Sequence, residues 1–394
     1  MFKKIVSAFG VCLLSFAVNA QTDEIVRVLQ EIEQNNKELQ AYSALMESKQ
    51  LEWKVGNNLP DPQAGAYYLP FGDHSTGDYT EFQISQSFEF PTVYGTRNSL
   101  ISKQNRQMEL QYASRRQAVL LSAKKSILEL AFLNKRMTVE QKRVVQAKKV
   151  VGQVNELFEK EQVGILEVNK AKIAWLQEQF KVEQVETDRQ KILLILQNLN
   201  GGTAVSLNQF HLFNNLIISP LDSIWQRKKL RDPLIKILEQ QEAVALQQIK
   251  LSKNMSLPNV TAGFNRQGVS GETFSGIYGG LSIPLWNNRN KVKAAEARYQ
   301  YQQSYTNAQS AAGYVDFQNQ YNDYQMLLSK YKEYQNTLNG LNSDALLLDA
   351  YELGELSFMV YYIELQFYRL AFDAMLEMEK QLNKLRAEIM SFEL

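Results

Sequence analysis

The residue types most used for metal binding and covalent catalysis are scarce in this sequence. It contains two histidines, His74 and His211, and one cysteine, Cys12. Zinc sites need several His or Cys ligands, and a cysteine nucleophile needs a neighbouring base. The inventory therefore excludes a Cys/His zinc site, a disulfide framework and a cysteine nucleophile. Neither histidine has His or Cys neighbours, so we expect no metal site and no cofactor.

Two further groups of residues could carry chemistry, but each has a simpler interpretation. Methionines can bind soft metals, and the candidates are Met255, Met359, Met375 and Met378. Their helical spacing or isolation favours packing in a core. Asp61 and Glu89 could serve as acid and base, although nothing in the sequence brings them together. The chain also lacks the phosphate-binding pattern G-x-x-x-x-G-K-[ST]. We expect a protein that is not an enzyme.

The charge balance argues against a nucleic-acid partner. The chain has 43 Lys and Arg against 42 Asp and Glu, a formal net charge of +1. A polyanion-binding protein normally carries a clear basic excess. Hydrophobic residues make up 45% of the sequence, which is enough apolar surface for a folded protein.

The first twenty residues have the pattern of a secretory signal. Lys3 and Lys4 precede a mostly apolar stretch, and the segment ends in Val18-Asn19-Ala20, which approximates a small-residue cleavage site. The apolar stretch is too short to span a bilayer. We expect residues 1–20 to be a signal peptide that is removed together with Cys12, and the mature protein to leave the cytoplasm.

Two long tracts of the chain predict long helices. Residues 92–219 and 285–394 contain no proline and are rich in good helix formers. Within each tract, positions spaced alternately by three and four residues are apolar at eight of ten sites, from Val168 to Leu199 and from Phe358 to Ile389. This spacing predicts two coiled-coil seams, or alternatively two amphipathic helices of an ordinary bundle. A single helix over 97–160 would reach roughly 96 Å.

Short segments between the helical tracts alternate apolar and polar residues. The pattern occurs in residues 79–90, 260–267 and 277–285. A period of two predicts strands with one apolar and one polar face. In the first segment the apolar face consists of Phe82, Ile84, Phe88 and Phe90. Turn-rich sequences join the strands into hairpins, and flanking aromatic residues are typical of membrane barrels. The alternative is two hairpins packed on a soluble core.

Three short sequence patterns occur in both halves of the chain, in the same order. The sequence from Leu59 recurs from Leu257, that of 86–91 recurs in 281–286, and that ending at Gly164 recurs in the one ending at Gly354. We expect an internal duplication with a first repeat over 21–200, an irregular link over 201–232 and a second repeat over 233–394. Each repeat should contain a helix, a hairpin, a long helix, a tight turn and another long helix.

The arrangement resembles the TolC family of outer-membrane efflux channels, the outer membrane factors. The resemblance covers nearly all of residues 21–394. Its motifs are Asn36-Lys37-Glu38-Leu39-Gln40-Ala41, Leu59-Pro60-Asp61-Pro62, the corners Phe90-Pro91 and Ile283-Pro284-Leu285, the stretch Val163-Gly164-Ile165-Leu166-Glu167-Val168, and Leu196-Gln197-Asn198-Leu199-Asn200-Gly201.

The resemblance implies a mainly α-helical homotrimer with a β-barrel portion in the outer membrane of a Gram-negative bacterium. Each chain would contribute four strands to one twelve-stranded transmembrane barrel, whose apolar faces meet the membrane lipid. Long coiled-coil helical hairpins would continue the barrel into the periplasm. Since four strands cannot close a barrel alone and would leave exposed edges, oligomerisation is also a physical requirement.

The function implied by the resemblance is the exit duct of a tripartite efflux pump. The channel would passively conduct metal ions or small toxic compounds delivered by a periplasmic adaptor (membrane fusion) protein and an inner-membrane RND-type pump. The second tip, Leu353-Gly354-Glu355-Leu356-Ser357, looks more like the branch that works with heavy-metal pumps. Two alternatives stay open: the exit channel of a type I-like protein secretion system, and a soluble periplasmic coiled-coil scaffold.

The resemblance also assigns candidate sites, all of them surfaces. The adaptor-docking tips would be Val163, Gly164, Ile165 and Leu166 together with Leu353, Gly354, Glu355 and Leu356. Each glycine is also expected to permit a tight turn. In the best-known member, aspartates close the tunnel, and Val360 and Ile363 occupy the matching positions here. That acidic gate is therefore not carried over. Glu355 and Glu364 are the nearby acidic candidates for a gate.

Overall fold

The computed structural model describes residues 24–70, 78–206, 212–213, 215–269, 271–286, 288–341 and 343–394. The expected signal peptide, Cys12, His74 and His211 lie outside the described residues. The described chain is mainly helical and contains one antiparallel sheet of four strands. This confirms the predicted mixture of long helices and four strands. Within these residues, no helix combines the length and apolar character needed to cross a membrane.

The elements of the first half precede residue 200. They are α1 (residues 24–35), α2 (Lys37–Val55), β1 (Gln63–Leu69), β2 (Tyr79–Phe88), α3 (Pro91–Glu159) and α4 (Ile165–Leu199). The second half consists of α5 (Leu221–Arg231), α6 (Pro233–Asn254), β3 (Asn259–Val269), β4 (Glu272–Ser282), α7 (Lys291–Asn339), α8 (Ser343–Glu352), α9 (Phe358–Ile389) and a short 3₁₀ helix (Ser391–Glu393). A helix, a hairpin and a long helical hairpin thus follow one another twice.

Two elements of the second half differ from the sequence prediction. The helix leading to the second tip is divided into α7 and α8 by a turn at Gly340, whereas one continuous helix was predicted. Glycine is a poor helix former, which fits this break. The link over 201–232 was predicted to be irregular, yet it contains α5. This helix forms because Ile224 and Trp225 are buried, with the Trp225 ring centroid 5.3 Å from that of Phe317.

The described chain divides into two compact units. The sheet unit comprises residues 41–114 and 232–313, and the helical unit comprises 24–40, 115–231 and 314–394. Each unit therefore contains parts of both sequence repeats, and each is described separately below.

In the sheet unit, the helices follow the same order as the strands. All three strand pairs are antiparallel in the order β1-β2-β3-β4. Side-chain hydrogen bonds join the helices in the order α2, α3, α6 and α7. They run from Tyr42 Oη to Gln111 Oε1 (3.3 Å), from Gln240 Nε2 to the carbonyl of Lys103 (2.8 Å) and from Gln302 Nε2 to Gln241 Oε1 (3.1 Å). The chain repeat thus produces a row of four strands and a row of four helices.

In the helical unit, both predicted seams are confirmed. Every seam position of α9, from Phe358 to Ile389, is buried or half-buried. The same holds for the seam of α4, from Val168 to Leu199. Under the two tips, α3, α4, α8 and α9 share one apolar cluster, here called the tip cluster. Its buried members are Val150, Val154, Val168, Ala171, Ala174, Tyr351, Phe358, Tyr361 and Leu365.

Two of the motifs that carry the family resemblance lie against each other in the helical unit. Asn36 Nδ2 donates to the carbonyl of Leu199 (2.8 Å), and Asn35 Nδ2 donates to Asn200 Oδ1 (3.0 Å). Gly201 has a φ of 68°, and a Cβ there would lie 2.3 Å from the carbonyl oxygen of Asn35. Only glycine fits this close approach and this backbone conformation. The motif therefore joins the end of α1 to the end of α4.

Candidate functional sites: strand faces and helical tips

One face of the sheet is apolar and exposed. The pairing register places Phe82, Ile84 and Phe88 on the same face as apolar residues of the other strands, namely Ala64, Ala66, Val260, Ala262, Phe264, Ile277, Gly279 and Leu281. Ile277 is 94% exposed and Leu281 is 70% exposed. Exposed apolar surface of this extent is a contact surface for something apolar. This set is called the apolar face below.

The opposite face of the sheet is polar. Its side chains include Glu81, Gln83, Ser85, Ser87, Thr261, Asn265 and Gln267. They bond to one another across strands, since Asn265 Nδ2 donates to Glu81 Oε1 at 2.7 Å and the Ser87 and Thr261 hydroxyls are 3.0 Å apart. The alternation predicted from the sequence thus separates an apolar from a hydrophilic surface.

Phe90 is a correction to the predicted lipid-facing set. Strand β2 ends at Phe88, and Pro91 begins α3. Phe90 is therefore not part of the apolar face. It packs against a buried cluster of Val93, Leu100 and Leu251 on α3 and α6. Proline is favoured at the first position of a helix, and that signal marks the end of the strand.

Of the two carboxylates considered for acid–base chemistry, Glu89 forms an ion pair with an arginine. Arg97 donates to both oxygens of Glu89, at 2.6 Å and 2.8 Å. The Tyr94 hydroxyl also accepts a hydrogen bond from the Glu89 amide (3.1 Å). Glu89 therefore ties the end of β2 to the first turns of α3, while Asp61 is exposed. This geometry is that of a structural ion pair.

The two helical tips share one backbone arrangement. At the first tip the amides of Glu161 and Gln162 donate to the carbonyls of Phe158 and Leu157, both at 2.9 Å. At the second tip the amides of Gly354 and Glu355 donate to Tyr351 (3.0 Å) and Ala350 (2.9 Å) in the same pattern. Both are Schellman-type helix ends, which require a left-handed residue after the helix.

The left-handed residue differs between the tips. Gly354 has a φ of 76°, as expected, but its structural counterpart is Glu161, with a φ of 59°. Gly164 instead has φ −87° and ψ 163° and is the N-cap of α4. The prediction that Gly164 permits the tight turn is therefore wrong. Ser357 occupies the equivalent N-cap at the second tip, where its side chain accepts from the Val360 amide.

Most of the predicted docking residues are accessible. Ile165, Leu166 and Leu353 are exposed, with Leu353 exposed by 76%. Val163 and Leu356 are half-buried and pack against the tip cluster. Gly164, Gly354 and Glu355 are exposed as well. Both tips thus present apolar side chains on a base of packed residues.

The predicted gate residues lie on the exposed side of α9 or beside it. Val360 and Ile363 are exposed, by 46% and 59%, and so are Glu355 and Glu364. Two further exposed residues, Phe367 and Leu370, continue the spacing of Val360 and Ile363 along the helix. The acidic candidates therefore border an apolar stripe rather than a buried site.

A buried polar layer near the tips was not predicted as such. Arg369 donates to Glu178 Oε1 (3.1 Å) and to Gln146 Oε1 (2.8 Å), and Gln146 donates to the Tyr361 hydroxyl (3.3 Å). The side chains of Arg369 and Glu178 are 4% and 2% exposed. Burial raises the pKa of Tyr361 to about 12. The sequence signal for this polar layer was Glu178, a charged residue within the otherwise mostly apolar seam of α4.

A second buried ion network lies further along the same helices. Arg143 on α3 donates to both oxygens of Asp373 on α9, at 3.1 Å and 2.8 Å, and lies 3.2 Å from Glu140. Burial by itself lowers the pKa of Arg143, but the bonds to Asp373 and the charge of Glu140 outweigh it and raise this pKa. The network joins the two sequence repeats through α3 and α9.

The described residues contain no group of three or more His, Cys, Asp or Glu side chains able to hold a metal ion. The methionines considered as soft-metal ligands pack instead. Met255 lies against the cluster of Val93, Leu100 and Leu251, Met359 lies against the tip cluster, and Met375 is buried.

Solved structures with the same fold include outer-membrane channels. The chain is 13% identical to the Campylobacter jejuni CmeC outer membrane channel (TM-score 0.73), covering 94% of this chain and 85% of that one. It is 12% identical to the Neisseria gonorrhoeae MtrE outer membrane channel in its open state (TM-score 0.73; 94% and 88% covered). For CusC, described for its transmembrane channel formation, identity is 13% (TM-score 0.76; 94% and 92% covered).

The sequence matches no protein-family model and no curated protein sequence. The likeness to solved structures therefore defines the fold. This chain has the fold of outer-membrane channel proteins over nearly all of its length.

Proposed function

We propose that the protein is the outer-membrane exit duct of a tripartite efflux pump in a Gram-negative bacterium. The observation that carries the proposal is the sheet, with an exposed apolar face on one side and a polar face on the other. Lipid would cover the apolar face, and the polar face would line a water-filled pore. Strands β2, β3 and β4 have 10 or 11 residues, a length suited to a tilted transmembrane strand.

The proposed assembly is a homotrimer. In the described chain, β1 pairs only with β2 and β4 pairs only with β3, so each sheet has two open edges. In a ring of three chains, β4 of one chain would pair with β1 of the next and close twelve strands. The two helices at the ends of the helix row support the same assembly. Helix α2 exposes Leu45, Leu51 and Val55, and α7 exposes Tyr301 and Tyr305. Pairing these edges would bury all five side chains.

The proposed partners meet the chain at the periplasmic end. The exposed residues Ile165, Leu166 and Leu353 would contact a periplasmic adaptor, and an inner-membrane RND-type pump would supply the energy. The chain itself conducts passively. The tunnel gate would lie at Val360 and Ile363, with Glu355 and Glu364 at its border.

The proposed cargo is metal ions or small toxic compounds. Support for metal ions is the sequence of the second tip, Leu353-Gly354-Glu355-Leu356-Ser357, which looks like the heavy-metal branch. A type I-like secretion channel would have the same architecture and a protein cargo. A soluble scaffold would leave the apolar face uncovered, and this disfavours it.

Membrane fractionation with a mass measurement tests the architecture. We expect the protein in the outer-membrane fraction and, after detergent extraction, a mass of three chains. A soluble periplasmic monomer would overturn the proposal. Ile84→Lys, on the apolar face near the middle of β2, should hinder membrane assembly because lysine at mid-membrane costs about 2–4 kcal/mol. Gln83→Lys, on the polar face of the same strand, is the matched control and should assemble.

Growth of a deletion strain tests the cargo. We expect greater sensitivity to zinc, cobalt, copper or drugs, with resistance restored by the wild-type gene and not by Ile84→Lys. Loss of a protein from the culture medium, with unchanged sensitivity to all compounds, would favour the secretion channel instead.

A further inference from the structure

One end of the apolar face is polar and contains a basic residue. Arg266 on β3 pairs directly with Phe82 on β2 and with Ser275 on β4. One row further along, Gly268 pairs with Thr80 and Thr273. Arg266, Gly268, Thr80, Thr273 and Ser275 all point to the same side of the sheet, because cross-strand partners and alternate residues share a face. These five residues are called the rim patch.

Hydroxyl groups lie at the centre and the border of the rim patch. A Cβ at residue 268 would lie 2.6 Å from the Thr80 hydroxyl oxygen, so this hydroxyl occupies the space above Gly268. Thr80, Thr273, Ser275 and Arg266 are all exposed. Hydroxyl donors around a guanidinium form a composition suited to an anion with several oxygen acceptors.

The charge of Arg266 is not balanced within the described chain. It is the one basic residue of the four strands, and no described residue forms an ion pair with it. The strand carboxylates Glu81 and Glu272 lie on the polar face. Asp78, which precedes β2, accepts a hydrogen bond from the Tyr68 hydroxyl. An exposed arginine on an apolar surface therefore calls for an external anion.

The position of the patch indicates which anion. Helix α3 begins three residues after the Phe88 end of β2, whereas the rim patch lies at the other end of the strands, by the turn between Val269 and Glu272. Arg266 is three residues from that end, roughly 10 Å along the strand. Resting on the proposed function, this end faces the cell exterior, at the level of the outer-leaflet headgroups.

We propose that the rim patch binds the phosphate of an outer-leaflet lipid headgroup. The Arg266 guanidinium contacts the phosphate oxygens through two parallel N–H donors, the geometry in which arginine binds phosphate best. Thr273 and Ser275 donate from β4, and the Thr80 hydroxyl above Gly268 donates from β2. Phe82, beside Arg266, contacts the acyl region. The patch thereby fixes the depth of each chain in the membrane.

A lipid-binding assay in detergent micelles tests the inference. The probe is fluorescently labelled lipid A carrying two phosphates, titrated with purified trimer. Arg266→Gln should weaken binding about tenfold, the loss expected for a charge-assisted contact. The double variant Thr273→Ala/Ser275→Ala should weaken it about threefold. Arg298→Gln, an exposed arginine on α7, is the matched control and should bind like wild type.

Several outcomes would overturn the inference. One is wild-type affinity in Arg266→Gln, and another is an equal loss in Arg298→Gln. Equal binding of dephosphorylated lipid A would mean that the apolar face alone holds the lipid. Full competition by millimolar inorganic phosphate would indicate a free-anion site. Fractionation separates this inference from the proposed function: a trimeric outer-membrane protein whose Arg266→Gln variant binds lipid normally refutes only the lipid site.

Discussion

The two helical tips end their first helices with the same backbone hydrogen bonds, yet they place glycine differently. The left-handed residue is Glu161 at the first tip and Gly354 at the second, while the N-cap of the following helix is Gly164 at the first and Ser357 at the second. The shared shape therefore comes from the helix-end hydrogen bonds and the packing beneath. A glycine in a tip sequence does not by itself identify the left-handed position.

The residues beneath the tips differ as well. Near the first tip, α3 and α4 contribute small aliphatic side chains such as Val154 and Val168 to the tip cluster. Near the second tip, α8 and α9 contribute Tyr351 and Tyr361, whose rings stack with centroids 5.0 Å apart. The buried Arg369 is on α9 too. The second tip therefore adds stacked aromatic rings, while the buried polar groups are shared, because Arg369 bonds to Glu178 on α4 and to Gln146 on α3.

The largest expected effect comes from the buried ion pair behind the second tip. Arg369→Met leaves Glu178 buried, and breaking such a pair costs about 3 kcal/mol. We expect a clearly lower thermal unfolding midpoint of the extracted protein. Lys181→Met is the matched control because it removes the more exposed partner of the same Glu178, at 3.2 Å and 34% exposure. Equal losses in the two variants would refute the role of burial.

Alkaline pH should weaken the second tip more than the first. Burial raises the Tyr361 pKa from 10.0 to about 12. This stabilisation, roughly 2–3 kcal/mol for two units, is complete below pH 10 and is lost as the pH rises through 12. Hydrogen exchange of α9 peptides should accelerate over this range in wild type and less in Tyr361→Phe. The same acceleration in both proteins would contradict the role given to the Tyr361 hydroxyl.

Alanine at the two tip glycines should separate their roles. Gly354→Ala forces a Cβ into a left-handed conformation at a cost of about 1 kcal/mol, so local opening at the second tip should become about fivefold more frequent. Gly164→Ala should be nearly silent, because its φ is −87° and nothing lies within 4 Å of an added Cβ. Peptide-level hydrogen exchange measures both. A larger effect at Gly164 would reverse the comparison.

The smallest expected effect is a gain in the stability of the first tip. Glu161→Gly removes the strain of a left-handed glutamate and should stabilise that tip by about 0.5 kcal/mol after the entropy cost of glycine. Slower hydrogen exchange around residues 158–162 would show it. Glu159→Gly, at the last residue of α3, is the control and should destabilise the same peptide. If Glu161→Gly also speeds exchange, the side chain has another role.

The local patterns of the sequence predicted the fold well. The period-two alternation around Phe82 and Phe264 placed the apolar face correctly, since a strand's faces depend only on neighbouring residues. Every position of both heptad seams is buried or half-buried. The exception, Phe90, arose because the alternation continues to the residue directly before Pro91, whose preference for a helix start was not weighed.

The site details that were missed depend on contacts between distant residues. Glu178 stood out as a charge in a seam, but its partner Arg369 is on another helix and outside both seams. The alignment of Gly164 with Gly354 followed residue type, whereas the structural counterparts are Glu161 and Gly354. The break between α7 and α8 had only Gly340 as a local signal.

The strand order β1-β2-β3-β4 has a kinetic consequence for biogenesis. Three strand junctions form within one chain, including the one between β2 and β3 that joins the two repeats. In the proposed trimer, the last junction would pair β4 of one chain with β1 of another. Its formation is a collision between molecules, so its rate depends on how many newly made chains are present. Until this junction forms, both edge strands can pair with incorrect partners. Low synthesis rates prolong the time for which the edges are exposed.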